Sequence, residues 1–449
     1  MQFNLTDSFL SGILKVGETN FPERVTSMAR KCLLDYFGVT FAGALLLKEK
    51  ERQLIDDDNG ENCHVIGHSY TASDKTAALT NGISAHVIEL DDGHRIGMLH
   101  LGAPVISALL AVAEKENINS KDFLCGIIVG YEVAIRLACA VQPGCKLKGY
   151  HATGTCGTVG AAMGIAAALH FDHEQMNTTL AAAVTSAAGV LEMQEDDSDL
   201  KPYNVGRAAM DAVAAAYIGR TGLKGPKDAL GGKRGFLKVM TDDPHTEYLT
   251  DFNSDTLCIE QIYQKVYAAC RHAHPAIEAS LALRDSVKIE DIESVEVRAY
   301  KLAVAGHDHT EIESISSAKM SIPFSVAVAL VTGEAGLNAF TDETICNPAI
   351  LSLAKKVQVV VDEELTAQFP AKRASKVTIH TKSGSFSNQV DYPKGEPENP
   401  LSQQELEDKF RELAMYGGLT KEECDEVISE VWKEDFNIKK IISLCCSKK

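Results

Sequence analysis

Hydrophobic positions in the first half of the chain follow the period of an α-helix. Apolar residues recur at i, i+3, i+4 and i+7 across residues 25–37, and Pro22 stands just before them, where a first helical turn tolerates proline. Residues 160–169 and 180–189 consist largely of Ala and Gly. Small side chains on successive turns let helix backbones approach closely, so we predict that these segments form the centre of a helical bundle.

A period of two replaces the helical period further along the chain. Residues 294–300 and 356–361 alternate apolar and polar side chains, and residues 376–390 form two such runs around a Lys-Ser-Gly turn. Capping-box pairs predict three helix starts, at Asp172, Ser402 and Thr420. The predicted fold class is mainly α, with a large all-helical domain at residues 1–255 and 394–449 and an inserted smaller α+β domain at residues 256–393.

Composition narrows the class of protein. The chain of 449 residues carries a formal charge of −18, and an acidic surface disfavours nonspecific binding to nucleic acid or anionic membranes. Its 12 cysteines include no CxxC pair, which favours free thiols in a reducing compartment. The longest apolar stretch, residues 123–141, contains Glu132 and Arg136, and residues 1–15 lack a signal-peptide pattern. We predict a cytoplasmic protein that binds neither membrane nor nucleic acid.

Ionisable residues within apolar sequence are the candidates for chemistry, because burying them is costly. Asp91, Asp92 and His100 lie within ten residues of one another, between two apolar helical patterns. A carboxylate beside a histidine sets the imidazole tautomer and raises its basicity, as general acid–base catalysis requires. The spacing leaves two alternatives, a solvated helix-capping loop and a metal site made by the two aspartates and a histidine.

A glycine-rich loop at residues 149–157 contains His151 and Thr153 and precedes a Gly/Ala-rich helix. Such a loop can present backbone N–H groups and a helix N-terminus to an anion. Its spacing matches neither a Walker loop nor a dinucleotide-binding fingerprint. A structural turn with a hydrogen-bonded core histidine is the competing interpretation.

Two further segments contain cations next to apolar helices. Lys201 and Arg207 adjoin an Ala-rich helix and could form a carboxylate pocket, although solvated surface charges fit the same pattern. Lys319 and Ser321 precede another apolar helix and are a weak signal by themselves.

The densest basic segment contains Lys265, Arg271 and His272 ahead of a helix that starts near Pro275. Positive groups at a helix N-terminus oppose its dipole unless an anion binds there, so this segment indicates an anion site. Cys270 beside His272 is a less favoured candidate nucleophile.

In this order the segments resemble the MmgE/PrpD family, over nearly the whole chain from residue 25 to the Pro-Lys-Gly-Glu-Pro-Glu-Asn-Pro-Leu sequence at residues 393–401. The resemblance implies a large helical domain with a smaller α+β lid domain, usually paired as a homodimer. It also implies an enzyme that needs no metal and no organic cofactor. Family members dehydrate 2-methylcitrate, decarboxylate cis-aconitate or epimerise iminodisuccinate, so a small di- or tricarboxylate is the expected substrate.

The resemblance also implies residue roles. The expected catalytic residues are Asp91, Asp92, His100, His151, Lys201 and Lys265, and the expected substrate-binding residues are Thr153, Arg207, Arg271, His272, Lys319 and Ser321. His100 and His151 are the candidate acid and base, with an aspartate orienting one imidazole. Cations would hold substrate carboxylates and stabilise the enediolate that forms when a proton next to a carboxylate is removed.

The chain departs from the family pattern at several positions. Gly93 stands where many members have Thr, and Glu89 where Asp is common; Phe324 replaces a tyrosine and Cys270 a histidine of the cis-aconitate decarboxylases. These last two changes argue against decarboxylation. We therefore predict a dehydratase acting on a 2-methylcitrate-like hydroxy acid. An epimerase, a decarboxylase and a catalytically silent binding relative are the alternatives.

Overall fold

The computed structural model describes residues 4–58, 60, 62–194 and 198–446. The chain divides into two compact units: unit 1 contains Met1–Val87, Asp91–Ile262 and Ser402–Lys449, and unit 2 contains Ile88–Leu90 and Tyr263–Leu401. The sequence placed domain boundaries after residues 255 and 393 and assigned residues 88–90 to the helical domain. The fold class is as predicted, a mainly helical first unit and a second unit with a mixed sheet.

Unit 1 is built from helices, with three two-residue strands and the first residue of a fourth between them. In chain order the elements are α1 (Leu5–Gly17), α2 (Glu23–Asp56), β1 (Cys63–His64), β2 (Thr71–Ala72), α3 (Asp74–Val87), β3 (Gly93–His94), α4 (Gly102–Glu116), α5 (Ser120–Val141), α6 (Gly144–Leu147), α7 (Ala152–Ala168), α8 (His173–Ser186), α9 (Lys201–Gly219), α10 (Phe236–Met240), α11 (Glu247–Thr250) and β4 (Ile262–Tyr263). Helices α5 and α7 pack against each other, as do α3 and α9 and also α7 and α9.

Glycines explain the close packing of α5 on α7. A Cβ atom on Gly160 would lie 2.5 Å from the carbonyl oxygen of Gly130, and one on Gly164 would lie 2.5 Å from that of Gly126. Any larger residue would force the two helices apart, so the Gly/Ala-rich composition is a packing requirement. Helix α5 is also apolar and long enough, at 22 residues, to cross a membrane, but its apolar window is completely buried inside the protein, as in the core helix of a globular domain.

Unit 2 combines a four-stranded sheet with helices. Its elements are α12 (His274–Arg284), β5 (Ile292–Ala299), α13 (Lys301–Val304), α14 (Ile315–Met320), α15 (Ile322–Thr332), α16 (Asp342–Ile345), α17 (Pro348–Ala354), β6 (Val357–Val361), α18 (Glu363–Gln368), β7 (Ser375–Thr381) and β8 (Gly384–Val390). The strand order is β6-β5-β7-β8, with β5 parallel to β6 and the other two pairs antiparallel. Helix α12 packs against β7 and β8, and α15 packs against β6 and α12.

The chain returns to unit 1 in α19 (Gln403–Tyr416), α20 (Lys421–Val431) and α21 (Ile438–Leu444). The predicted capping boxes are present at Asp172, Ser402 and Thr420, where each side chain accepts a bond from the third helical residue. Helix α19 then packs along α2, so residues far apart in the sequence complete one helical unit.

Candidate active site

In unit 1 a single carboxylate oxygen joins two histidines. Asp91 Oδ2 lies 2.7 Å from Nδ1 of His86 and 3.1 Å from Nδ1 of His100, and the two rings stand edge to face with centroids 4.8 Å apart. Burial works to raise the pKa of Asp91, but the adjacent His100 and His86 outweigh it and hold that pKa well below its ordinary value. Asp91 is therefore an anion that accepts hydrogen bonds from both imidazoles.

The surroundings of His100 determine its tautomer. Its Nδ1 also lies 2.7 Å from the backbone carbonyl oxygen of Asp92. Because a carbonyl and an ionised carboxylate only accept hydrogen bonds, Nδ1 of His100 carries a proton, and Nε2 is the nitrogen left to exchange a proton with a ligand. The side chain of His100 is 13% exposed. His100 thus has a fixed Nδ1–H group and an ionised carboxylate beside its ring.

His86 is a residue of this group that the sequence prediction missed. It is completely buried in the last turn of α3, and burial lowers its pKa, so it is neutral at pH 7. Its Nε2 has no hydrogen-bond partner among the described residues. A signal was present in the sequence, a histidine five positions before Asp91 on an apolar helix, but such a histidine is also common in protein cores.

Asp92 stabilises the backbone next to these histidines through hydrogen bonds to its carboxylate. Tyr131 donates a hydrogen bond of 2.6 Å to its carboxylate, and the backbone N–H groups of Leu101 and Gly102 donate to the other oxygen at 3.2 and 2.8 Å. Burial raises the pKa of Asp92 to about 6. The carboxylate thus satisfies N–H groups at the start of α4, which positions His100 just before that helix.

His151 precedes α7, and its imidazole is oriented by an amide. Nδ1 of His151 lies 2.8 Å from Oδ1 of Asn204, so Nδ1 carries the proton and Nε2 is again the basic nitrogen. Burial lowers the pKa of His151 to about 3, and the charge of Lys201 acts in the same direction. His151 is therefore a neutral imidazole throughout the physiological range.

Lys201 is the first residue of α9, and its charge lowers the pKa of both His86 and His151. Helix α7 begins directly after His151 without a side-chain cap, and α9 also begins without one. Helix N-termini bind anions because their N–H groups are unpaired and the helix dipole is positive there. Unit 1 thus gathers Asp91, His100, His151 and Lys201 beside two such N-termini.

Thr153 and Arg207, both predicted to bind substrate, make contacts within the protein. The hydroxyl of Thr153 accepts a 3.1 Å bond from the backbone N–H of His100. The guanidinium of Arg207 donates to the carbonyl oxygens of Ser186, Ala188 and Gly154 and forms an ion pair with Asp211. In this structure both residues position the segments that carry the histidines.

In unit 2 the predicted cation Lys265 is engaged by a carboxylate. Its Nζ lies 2.8 Å from Oε2 of Glu89, and the lysine side chain is only 1% exposed. Glu89 has a φ angle of +58°, in the left-handed region that non-glycine residues rarely adopt. Lys319 donates a 3.3 Å hydrogen bond to the carbonyl oxygen of Ile88 in the same short segment. Two of the predicted cations, Lys265 and Lys319, therefore bind to the segment at residues 88–90.

Arg271 forms a buried ion pair with Glu396, and its guanidinium lies 5.3 Å from the centre of the Tyr263 ring. Glu396 belongs to the Pro- and Glu-rich sequence at residues 393–401 on which the family resemblance partly rests. The segment at residues 393–401 thus supplies the counterion of Arg271 within unit 2, in addition to connecting two parts of the chain.

A group that we call the thiol cluster consists of Cys270, His272, Tyr300 and His307. Nδ1 of His272 is hydrogen-bonded to the hydroxyl of Tyr300, and its ring stacks on that of His307 with centroids 5.1 Å apart. Sγ of Cys270 lies 3.9 Å from Nε2 of His307. Tyr300 and His307 were missed by the sequence prediction, because each lies 28 or more residues from its partner.

Comparison with known proteins gives a decisive match over both units. The profile of the MmgE/PrpD N-terminal domain matches residues 13–249, and that of the MmgE/PrpD C-terminal domain matches residues 267–434. The chain belongs to the MmgE/PrpD family. The resemblance seen in the order of its motifs is thereby confirmed.

Curated relatives of this MmgE/PrpD protein differ in how much of the chain they match. The cis-aconitate decarboxylase-like protein oryM of Aspergillus oryzae is 25% identical over 92% of this chain and 90% of its own length. Human cis-aconitate decarboxylase is 26% identical over 91% of this chain and 87% of its own length. The mitochondrial 2-methylcitrate dehydratase of Yarrowia lipolytica is 25% identical over 43% of this chain and 40% of its own length.

Two remaining positions of the MmgE/PrpD pattern lie at the start of α15. Ser321 caps the helix, accepting a 3.1 Å bond from the backbone N–H of Phe324 and donating one of 2.6 Å to the carbonyl of His309. Phe324 is completely buried, with its ring centre 5.9 Å from that of Phe340. The hydroxyl of Ser321 thus both donates and accepts a hydrogen bond within the protein, and Phe324 is a core residue.

Proposed function

We propose that this chain is a lyase that acts on a small polycarboxylate by transferring a proton at a carbon next to a carboxylate. The observation that carries the proposal is the fixed Nδ1 proton of two histidines, one buried and one partly exposed. His151 on Asn204 and His100 on Asp91 each have Nδ1 protonated and Nε2 available. Preset tautomers on rigid helices are what general acid–base catalysis requires.

The two histidines have different neighbours, and this assigns their roles. His151 faces a neutral amide, and its lowered pKa keeps it unprotonated, so we assign it as the proton acceptor. Nδ1 of His100 contacts the anionic Asp91, so we assign His100 as the proton donor. Opposite environments for two titratable groups are a recurrent basis for such a division.

Lys201 and the N-termini of α7 and α9 are the proposed carboxylate-binding elements of unit 1. A dicarboxylate placed there would meet one ammonium group and the N-termini of two helices that have no side-chain cap. The same elements would stabilise the negative charge of an enediolate as it develops. This polarity suits an anionic substrate although the chain as a whole carries a charge of −18.

For the reaction itself, we propose decarboxylation of an unsaturated tricarboxylate of the cis-aconitate class. The decarboxylase relatives match the chain over almost its full length, whereas the dehydratases match less than half of it. The sequence argued against this reaction because Cys270 and Phe324 replace a histidine and a tyrosine. The thiol cluster weakens that objection, since His307 and Tyr300 supply an imidazole and a phenol beside Cys270.

The proposed reaction needs one proton. The bond between a methylene carbon and its carboxylate breaks and releases CO2, and its electron pair forms a new double bond to the central carbon. The electron pair of the old double bond takes a proton at the carbon that bears the other terminal carboxylate, and the central carboxylate is unchanged. We assign that proton to an imidazolium, His100 in unit 1 being the candidate.

Dehydration of a 2-methylcitrate-like hydroxy acid is the second candidate, and the pairing of a neutral base with an acid favours it. His151 would remove the proton next to the carboxylate, and His100 would protonate the leaving hydroxyl. Decarboxylation needs only the proton donor, so His151 is required as a base in dehydration but not in decarboxylation.

The purified chain should be incubated separately in D2O with cis-aconitate, 2-methylcitrate and iminodisuccinate and followed by proton NMR. We expect CO2 release from cis-aconitate, with one solvent deuteron in the product. Alkene formation from 2-methylcitrate would instead support dehydration, and deuterium exchange with inversion of iminodisuccinate would support epimerisation. Binding without any turnover would contradict the lyase proposal. A mock preparation from cells without the chain, purified in the same way, provides the control for contaminating activity.

Three expectations from the sequence remain proposals. We propose that turnover needs neither metal nor organic cofactor, which is tested by comparing rates before and after dialysis against a chelator. We propose a homodimer, tested by light scattering coupled to size-exclusion chromatography. The cysteines are all unpaired in the structure, and this supports a cytoplasmic location, tested by imaging a tagged chain in its own cell.

A further inference from the structure

Cys270 has a setting unlike that of the other cysteines. It lies in the turn before α12, where its backbone N–H donates a 2.8 Å hydrogen bond to the carbonyl oxygen of Lys319. Its Sγ lies 3.9 Å from Nε2 of His307 and accepts a hydrogen bond from the backbone N–H of His272. The sulfur thus faces one imidazole and one N–H donor, both of which stabilise a thiolate.

We propose that Cys270 and His307 form a thiolate–imidazolium pair, and that Cys270 is a site of selective covalent modification by small soft electrophiles such as alkylating agents and peroxides.

Electrostatics around the sulfur support this assignment. Burial works to raise the pKa of the Cys270 thiol, but His307 and the His272 N–H outweigh it and lower that pKa to about 6. In every other cysteine with a resolved shift, burial raises the pKa of the thiol. At neutral pH Cys270 is therefore ionised whereas the buried cysteines are not.

The remaining charged groups act in both directions. Glu89 raises the pKa of Cys270 and opposes the imidazole. The titratable and charged groups around the cluster are His272, His307, Tyr300, Glu89, Arg271, Arg373 and Glu396. Arg271 and Glu396 pair with each other, and Glu89 pairs with Lys265. His307 is the residue whose ring nitrogen contacts the sulfur.

Residue exposure separates Cys270 from the core thiols. Cys270 is partly exposed, whereas Cys32, Cys139 and Cys156 are buried. Alkylation by a reagent of few atoms therefore tests directly whether the sulfur of Cys270 can be reached. Cys346 is exposed and offers an internal reference thiol in the same molecule.

Neither modification reaction requires a reactant other than the Cys270 thiolate and the reagent itself. With iodoacetamide, the Cys270 thiolate forms a carbon–sulfur bond as the carbon–iodine bond breaks and iodide leaves. With hydrogen peroxide, the thiolate attacks one oxygen, the oxygen–oxygen bond breaks, and sulfenic acid and hydroxide form; sulfur is oxidised and peroxide reduced. The proton on His307 is not consumed in either step.

The test is brief alkylation of the full chain with iodoacetamide between pH 5 and 9, with the modified Cys270 and Cys346 peptides quantified by mass spectrometry. We expect the Cys270 rate to be half-maximal near pH 6, with the exposed Cys346 as the reference thiol in the same digest. His307→Asn should move the Cys270 midpoint up by at least one pH unit. The matched variant His309→Asn, two residues along the same loop, should leave that midpoint unchanged.

Three results would overturn the proposal. These are a Cys270 midpoint above pH 8 in the unaltered chain, a midpoint that His307→Asn does not move, and no modification of Cys270 at any pH while Cys346 reacts. Protection of Cys270 by tightly bound zinc would likewise contradict the proposal, because the sulfur would then be a metal ligand. Because the readout is alkylation, the outcome is independent of which reaction the enzyme catalyses.

Discussion

The amide oxygen of Asn204 lies 2.8 Å from Nδ1 of His151 and determines which nitrogen of that imidazole is basic. Asn204 is itself held in place, since a Cβ atom on Gly154 or Gly189 would lie 2.1 or 2.4 Å from its side chain. The two glycines thus leave room for the amide, and the amide orients the proposed base.

For dehydration, in which His151 is the base, replacing Asn204 by Leu should lower kcat by about 10- to 100-fold with little change in KM, because the imidazole loses the contact that fixes its tautomer. Asn204→Asp should retain an acceptor but place a carboxylate beside the ring. That charge raises the pKa of His151, so the activity should move to higher pH, where the base is neutral. Steady-state rates across pH measure both effects, with circular dichroism as the check on folding. Equal pH profiles for the two variants would contradict the assignment.

Asp91→Asn should lower kcat by about 10²- to 10⁴-fold, because the ionised acceptor shared by His86 and His100 is lost. The matched control is Glu114→Gln, which alters another histidine–carboxylate pair of unit 1, at His64. The control should retain nearly full activity. Comparable losses in both variants would mean that the effect arises from general destabilisation of the helical unit.

The stability of the protein should fall in acid partly through His151. Its pKa in the folded protein, about 3, lies below the ordinary value of 6.5, so the unfolded chain binds more protons between these limits. Stability is therefore lost as the pH falls from about 6.5 towards 3, by an amount on the order of 4 kcal/mol for this residue. Denaturant unfolding of the parent and His151→Asn at several pH values measures it. The difference between the two should shrink as the pH is lowered, and a constant difference would contradict the buried neutral imidazole.

Lys265→Met should destabilise unit 2 by about 3–5 kcal/mol, because it removes the ammonium group 2.8 Å from the buried Glu89 carboxylate. The double variant Lys265→Met with Glu89→Gln should recover much of that loss. Arg298→Met, which breaks the more exposed pair with Asp362, should change the melting temperature by less than the error of the measurement. Thermal and denaturant unfolding of all three variants test the point, and equal losses in the two single variants would disprove it.

Local patterns in the sequence were sufficient for the helices and for the sheet hairpin. A helical apolar period, a Ser or Thr three residues before Glu, and an alternating run around a Lys-Ser-Gly turn each describe contacts within one element or between adjacent ones. The helix starts at Ser402 and Thr420 and the β7–β8 hairpin follow directly from such contacts. The order of polar motifs was similarly sufficient for the family, because motif order is a property of the chain itself.

Only the tertiary structure decided which polar groups meet. Asn204 is 53 residues from His151, and Glu89 is 176 residues from Lys265. Their distances depend on how helices and loops pack, which no local period encodes. The same packing placed the predicted Arg207 on backbone carbonyls and brought the unpredicted His86 to Asp91. Residue types in the sequence were sufficient to select candidate catalytic residues. The protonation state of each of these residues depends on its burial and its hydrogen-bond partners, which only the tertiary structure shows.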